Sequence, residues 1–285
     1  MLVLLSLSVV LTIVLFVLSR SVTDISTSTE QADSVRAFSA AEAGIEKALI
    51  TGAGSGGVVQ IGDASYSVSV SDYSEGAPSF NYPAPLLSGE TMTNWFVSHD
   101  DTGKITCAAG FLCFRGNTLK VCWGNPNPTE IPAIEVSVYY ETTPGNPSTV
   151  RIARAAYDPN TTRATSNNFS APDAGTCQIG GVTYAFQKTI TMSGLGIPAG
   201  SYNVANGLLF AKIRMLYNTN TGHVIGTDVN FAGNSTLPSQ GLDIVSTGTS
   251  GTSGNFSNRR VSVFRGWPEF PFSGLAVFYP YGIVK

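Results

Sequence analysis

The chain opens on nineteen residues without an ionisable side chain, Met1 to Ser19 (MLVLLSLSVVLTIVLFVLS), apolar around every face of a helix. A helix of that length spans roughly 28 Å, close to the hydrocarbon core of a bilayer at about 30 Å. Beyond Arg20 the apolar positions thin to a stripe. Val22, Ile25, Ala32 and Val35, then Ala41, Ile45, Ala48 and Leu49, recur at helical spacing, and neither Pro nor Gly occurs from Met1 to Ala43. The GAGSGG stretch, Gly52 to Gly57, reads as the stop. The pattern therefore predicts one helix over residues 1–51, roughly 75 Å long. Residues 1–19 must be buried in lipid or among copies of themselves. Residues 20–51 are amphipathic, with Asp24, Glu30, Asp33, Arg36, Glu42, Glu46 and Lys47 opposite a stripe that can cover a sheet.

From Gly57 the period changes to two. Ala64 to Ser71 alternates Tyr or Val with Ser, which predicts a strand with one buried and one hydroxylated face. Ile134–Val138, Thr149–Ala153, Val182–Ile190, Leu208–Leu216, Val224–Phe231, Leu242–Ser246 and Val261–Phe264 follow the same scheme, with turn residues between them. About eight or nine strands are expected, antiparallel because no connection reads as a crossover helix. The fold class is α+β: a long N-terminal α-helix of about 50 residues, then a mainly antiparallel β globular domain over 58–285. Residues 73–132, with Pro78, Pro83, Pro85, Pro126 and Pro128, read as a loop-rich insertion.

Composition narrows the function. Only 12% of residues are charged, and 16 Lys plus Arg against 19 Asp plus Glu leave a net charge of −3. That balance excludes nucleic-acid binding through a basic surface and an acidic disordered chain. Two His in the whole sequence argue against a His-ligated metal or a His general base. Polarity is carried instead by Ser, Thr and Asn, a surface common on exported assemblies.

The cysteines Cys107, Cys113, Cys122 and Cys177 contain no C-x-x-C and so do not suggest zinc. On an exported chain they are expected to form two disulfides bracing the insertion. Three connectivities are open and the sequence selects none; a short bridge within 107–122 and a long one to Cys177 are expected. GAGSGG closes a helix where a phosphate loop would open one. His99-Asp100-Asp101 is expected in a solvated loop, and Asp158-Pro159-Asn160 lacks the rest of a calcium loop. No catalytic, cofactor or metal site can be named, and an enzyme is not expected. Asn160, Asn168, Asn234 and Asn255 begin N-x-[ST] triplets, and the aromatic tail Trp267–Phe272 with Phe278–Tyr281 is expected to pack along a sheet edge or a neighbouring subunit.

Two segments carry a resemblance. SVRAFSAAEAGIEKALITG, Ser34 to Gly52, is similar to the end of the N-terminal helix in the PilX-type branch of type IV pilin-like proteins, where an AAEAG-type sequence recurs. Leu242–Gly248 (LDIVSTG) followed by Arg259–Arg265 (RRVSVFR) resembles the closing strands of the same family. The resemblance says little about residues 73–180. It implies a bacterial type IV pilus subunit: a homo-oligomeric, helical extracellular filament whose N-terminal helices bundle in the core. In that family a basic leader is removed by a prepilin peptidase, which would account for the abrupt start and make Met1 a methylated N-terminus. The filament-core contacts implied here are Met1, Leu5, Val9, Leu11, Val14 and Phe16. Partners would be the inner-membrane pilus assembly machinery and, before assembly, the membrane. The chain departs from the family in two places. Leu5 stands where most pilins carry Glu, and no Pro lies near residue 22, so a continuous helix is expected. The readings left open are a minor or tip pilin acting as an adhesin and a single-span, membrane-anchored surface binding domain.

Overall fold

The computed structural model describes residues 2–100, 102–230, 236–252 and 255–269; the side chains of residues 2, 4–6 and 255 lie outside that description. The chain divides into two compact units, residues 1–71 with 242–265 and residues 72–241 with 266–285. The β domain expected over 58–285 extends over both units. Its first and last strands fold with the helix, because the helix's small-residue stripe needs a sheet to cover it.

In the first unit the helix runs unbroken from Leu2 to Thr51. Hydroxyls within it bond back one turn, as Thr12 Oγ1 does to the Ser8 carbonyl at 2.6 Å, so they cost the helix little. Gly52 ends it with a positive φ of 69°, its N–H donating to the Ala48 carbonyl at 2.8 Å. The sheet has four strands in the order Val59–Ile61, Ala64–Asp72, Gly241–Thr252 and Asn255–Gly266. Ala40, Ile45 and Ala48 of the helix pack with Ala64, Tyr66, Val68 and Ile244 of the sheet. The approach is close because both sides are small: a Cβ on Gly44 would stand 2.3 Å from Ser246 Oγ and 2.8 Å from the Tyr66 ring. Polar contacts fasten the ends. Arg259 donates to Ser34 Oγ at 2.6 and 2.9 Å, and Arg265 donates to the Leu49 carbonyl at 3.0 Å, satisfying a carbonyl of the last helical turn.

The second unit contains two four-stranded sheets. One has the order Phe186–Thr191, Thr118–Trp123, Ile225–Asp228, Ser79–Asn81; the other Thr91–Trp95, Leu208–Leu216, Ala133–Glu141, Val150–Tyr157. Their registered pairs are antiparallel. In the second sheet Ile213 pairs with Met92 on one side and Val136 on the other, all three fully buried. Buried Thr227 of one sheet donates to Asn94 of the other at 2.6 Å, a polar contact across the core. Cys107 bonds Cys113, and Cys122 bonds Cys177, the short and long bridges expected. The long one ties Thr118–Trp123 to the small hairpin Cys177–Ile179 and Val182–Tyr184.

The strand count differs from the reading of period two. Sixteen strands are present among the described residues. Five of them, from Ser79–Asn81 to Thr118–Trp123, fall inside the segment 73–132. Thr91–Trp95 is buried at four of its five positions, and a strand covered on both faces has no alternation to read. Val182–Ile190 is two strands, Val182–Tyr184 and Phe186–Thr191.

Candidate assembly surface

The feature with the clearest demand on a partner is the first three-fifths of the helix. Every residue from 7 to 32 is exposed. Val9 is 49%, Leu11 61%, Val14 48% and Phe16 66% exposed, as large a fraction as polar surface residues show. Leu7, Val10, Ile13, Leu15, Val17 and Leu18 are exposed beside them, so the apolar surface is continuous around the rod. Met1 and the Leu5 side chain lie outside the described residues. A patch of this extent needs a covering phase, either hydrocarbon or other apolar helices. By length and composition the helix can cross a membrane.

The C-terminal end of the helix has the opposite design. Ala37, Ala40, Ala41, Ile45 and Ala48 are buried at spacings of three and four. On the facing strand Ile244, Ser246 and Gly248 are buried on alternate positions. The Ala-rich segment of the helix and the Ile-x-Ser-Thr-Gly segment of the strand are thus the two sides of one contact. The sequence shows both stretches but not that they meet.

Where they are described, the residues considered for chemistry make the following contacts. His99 is 8% exposed, which corrects the solvated loop expected for it. Trp95 packs against it edge-on at 4.5 Å and Trp267 stacks on it at 4.7 Å. Burial pushes its imidazole down to about 4, against a smaller upward pull from Asp100. Asp100 accepts from the Thr102 hydroxyl at 2.6 Å and from the Lys104 N–H at 3.0 Å, closing a turn; Asp101 lies outside the described residues. Trp267 donates its indole N–H to the Ser239 carbonyl at 3.0 Å, and Glu269 pairs with Lys212. The tail expectation holds for Trp267, whereas Phe270–Phe272 and Phe278–Tyr281 lie outside the described residues. Gln240, not singled out by its sequence context, is buried and both accepts from the Trp95 N–H at 2.7 Å and donates to its carbonyl at 3.0 Å.

Asp158 is an ion-pair anchor. It meets Arg163 in a forked contact at 2.7 Å and accepts from Asn160 N–H and Asn167 Nδ2. Burial raises its pKa, but the Arg163, Asn160 and Asn167 hydrogen bonds outweigh that and hold it below the ordinary 3.8. Among the N-x-[ST] positions, Asn160 caps the helix Thr161–Asn167 and Asn168 ends it in a left-handed conformation. Asn234 and the Asn255 side chain lie outside the described residues. Among the described residues no three His, Cys, Asp or Glu side chains form a group that could hold a metal ion. Comparison of the chain with protein-family models, with curated proteins and with solved structures finds no match.

Proposed function

We propose that this chain is a structural subunit of an extracellular filament of the type IV pilin class. The observation that carries the reading is the division of one helix into two surfaces. Residues 37–48 are docked on a sheet, while residues 7–32 present an all-round apolar surface that the chain itself leaves uncovered. A plain membrane anchor needs only a span; a rigid rod continuing from that span into a sheet suits a subunit whose helix moves from lipid into a bundle of its copies. Between lipid and the bundle the apolar side chains gain only packing, whereas once outside the membrane each Val or Leu kept from water between helices holds the bundle together by about 2 kcal/mol. The prepilin peptidase and an inner-membrane assembly machinery are the partners this role requires.

A specific observation keeps a tip or adhesive role in view. The loop closed by Cys107 and Cys113 exposes Phe111 and Leu112 at 44% and 39%. The disulfide holds these apolar side chains outward on a short loop, a form suited to contact with a surface.

The test is Val9→Asp or Leu11→Asp in the full chain, in the cells that produce it. Sheared surface filaments should disappear while both disulfides still form. Filament yield equal to wild type would overturn the bundling reading.

A further inference from the structure

Arg20 and Asp24 are the first two ionisable side chains of the chain, one helical turn apart, at the point where the apolar segment ends. Both are exposed. They lie in a shallow groove along one face of the helix with Phe16, Val17, Ser21 and Ile25. Ile13, Val17, Arg20 and Asp24 follow one another at steps of four, three and four, the spacing of a seam between packed helices.

Among the described residues neither side chain makes an ion pair. The contrast with Arg36 is informative, since Arg36 turns back to Asp33 on the same helix at 3.4 Å. For Arg20 and Asp24 the order along the helix is cation first, the weaker arrangement for a pair four residues apart. Each charge is thus left facing outward beside apolar neighbours. A single polar or charged position in an otherwise apolar seam costs stability but specifies register.

We propose that Arg20 of one copy pairs with Asp24 of a neighbouring copy and sets the axial register of the helices in the assembled filament, an inference that rests on the filament reading above. The same helix face carries both signs, so it is self-complementary in a head-to-tail contact between identical subunits, and such a contact propagates without closing. Opposing Arg20 to Asp24 offsets parallel helices by about 6 Å along their axes. Phe16, Val17 and Ile25 flank the pair and exclude water from it, which strengthens the attraction.

The experiment compares filament yield from the full chain carrying Arg20→Asp, Asp24→Arg, both together, or Val9→Asp, with membrane-inserted protein quantified in each case. The two single reversals should each lower filaments per inserted chain by about tenfold or more, and the double reversal should recover a clear part of that loss, short of wild type because its acid-first order also favours a pair within one helix. Single reversals that assemble like wild type, or a double reversal no better than the singles, overturn the register pair. So does dependence on Arg20 alone, which would mark a lipid phosphate as its partner. Val9→Asp separates the two levels: its failure to assemble alongside unaffected charge variants leaves the filament reading standing and removes only the register pair.

Discussion

Gly248 lies against Ala37 so closely that a Cβ on it would stand 1.9 Å from the Ala37 carbonyl oxygen and 2.6 Å from Ala41 N. Both contacts are to helix backbone, which no rotamer change can relieve. Gly248→Ala should therefore lift the helix from the sheet locally and cost about 1–3 kcal/mol. Thr247→Ala, on the opposite face of the strand, should stay within about 0.5 kcal/mol of wild type. Denaturant unfolding of the detergent-solubilised chain measures both, and amide exchange at residues 37–48 should rise in the Gly248 variant alone. Equal effects of the two substitutions would show that the close contact is not energetically important.

That contact also marks where the sequence stops being readable. Ala37, Ala41 and Ala48 announce a helix stripe by their spacing, and Ile244, Ser246 and Gly248 announce a strand face by theirs. Their pairing joins residues some two hundred positions apart, and no local period encodes that distance. Much the same holds for the second unit. Leu208–Leu216 is visible as a strand, but its neighbour Thr91–Trp95 is not, because burial on both faces removes the polar alternation. His99 misleads for a related reason: an Asp-rich turn suggests solvent, while the two tryptophans that cover the imidazole come from elsewhere in the chain. The apolar half of the helix is the most legible feature of all, since its character is written residue by residue.

The two disulfides should differ in what they contribute. The Cys122–Cys177 bridge spans 55 residues and the Cys107–Cys113 bridge spans 6. On loop-closure entropy these correspond to about 4 and about 2 kcal/mol. Cys122 and Cys177 are also buried, so their replacement disturbs packing around Tyr184 and Ile179 as well. The full chain with both long-bridge cysteines changed to Ala should unfold at clearly lower denaturant than the chain with both short-bridge cysteines changed. The reverse order would mean that the small loop carrying Phe111 and Leu112 braces the unit more than its length allows.

Acid should destabilise the second unit over two pH intervals, and the signs follow from its perturbed groups: the buried imidazoles of His99 and His223 in the upper interval, and hydrogen-bonded carboxylates, Asp158 and Asp173 among them, in the lower. His99 binds a proton near 6.5 when unfolded but only at about 4 when folded. The unfolded state therefore holds more protons between those values, and the His99 contribution is whole above 6.5 and lost as pH falls towards 4. The slope from this one group is at most about 1.4 kcal/mol per pH unit. Asp158 behaves as a depressed carboxylate. It stays ionised in the folded chain below its ordinary 3.8, so its contribution disappears only at lower pH, as Arg163 loses its partner. Urea midpoints should fall between pH 7 and pH 5 in the wild-type chain, and His99→Gln should make that fall shallower, His223 supplying the remainder, while leaving the step below 3.8 in place. Asp158→Asn should make the step below 3.8 shallower, Asp173 keeping its share, and cost about 2 kcal/mol at neutral pH, since it removes a charged acceptor from a buried network. Trp267 provides an independent readout, because its ring stacks on His99 and its fluorescence should change with imidazole protonation in the folded chain only near pH 4. A fluorescence change centred near 6.5 would place His99 in solvent and overturn the packed arrangement of Trp95, His99 and Trp267.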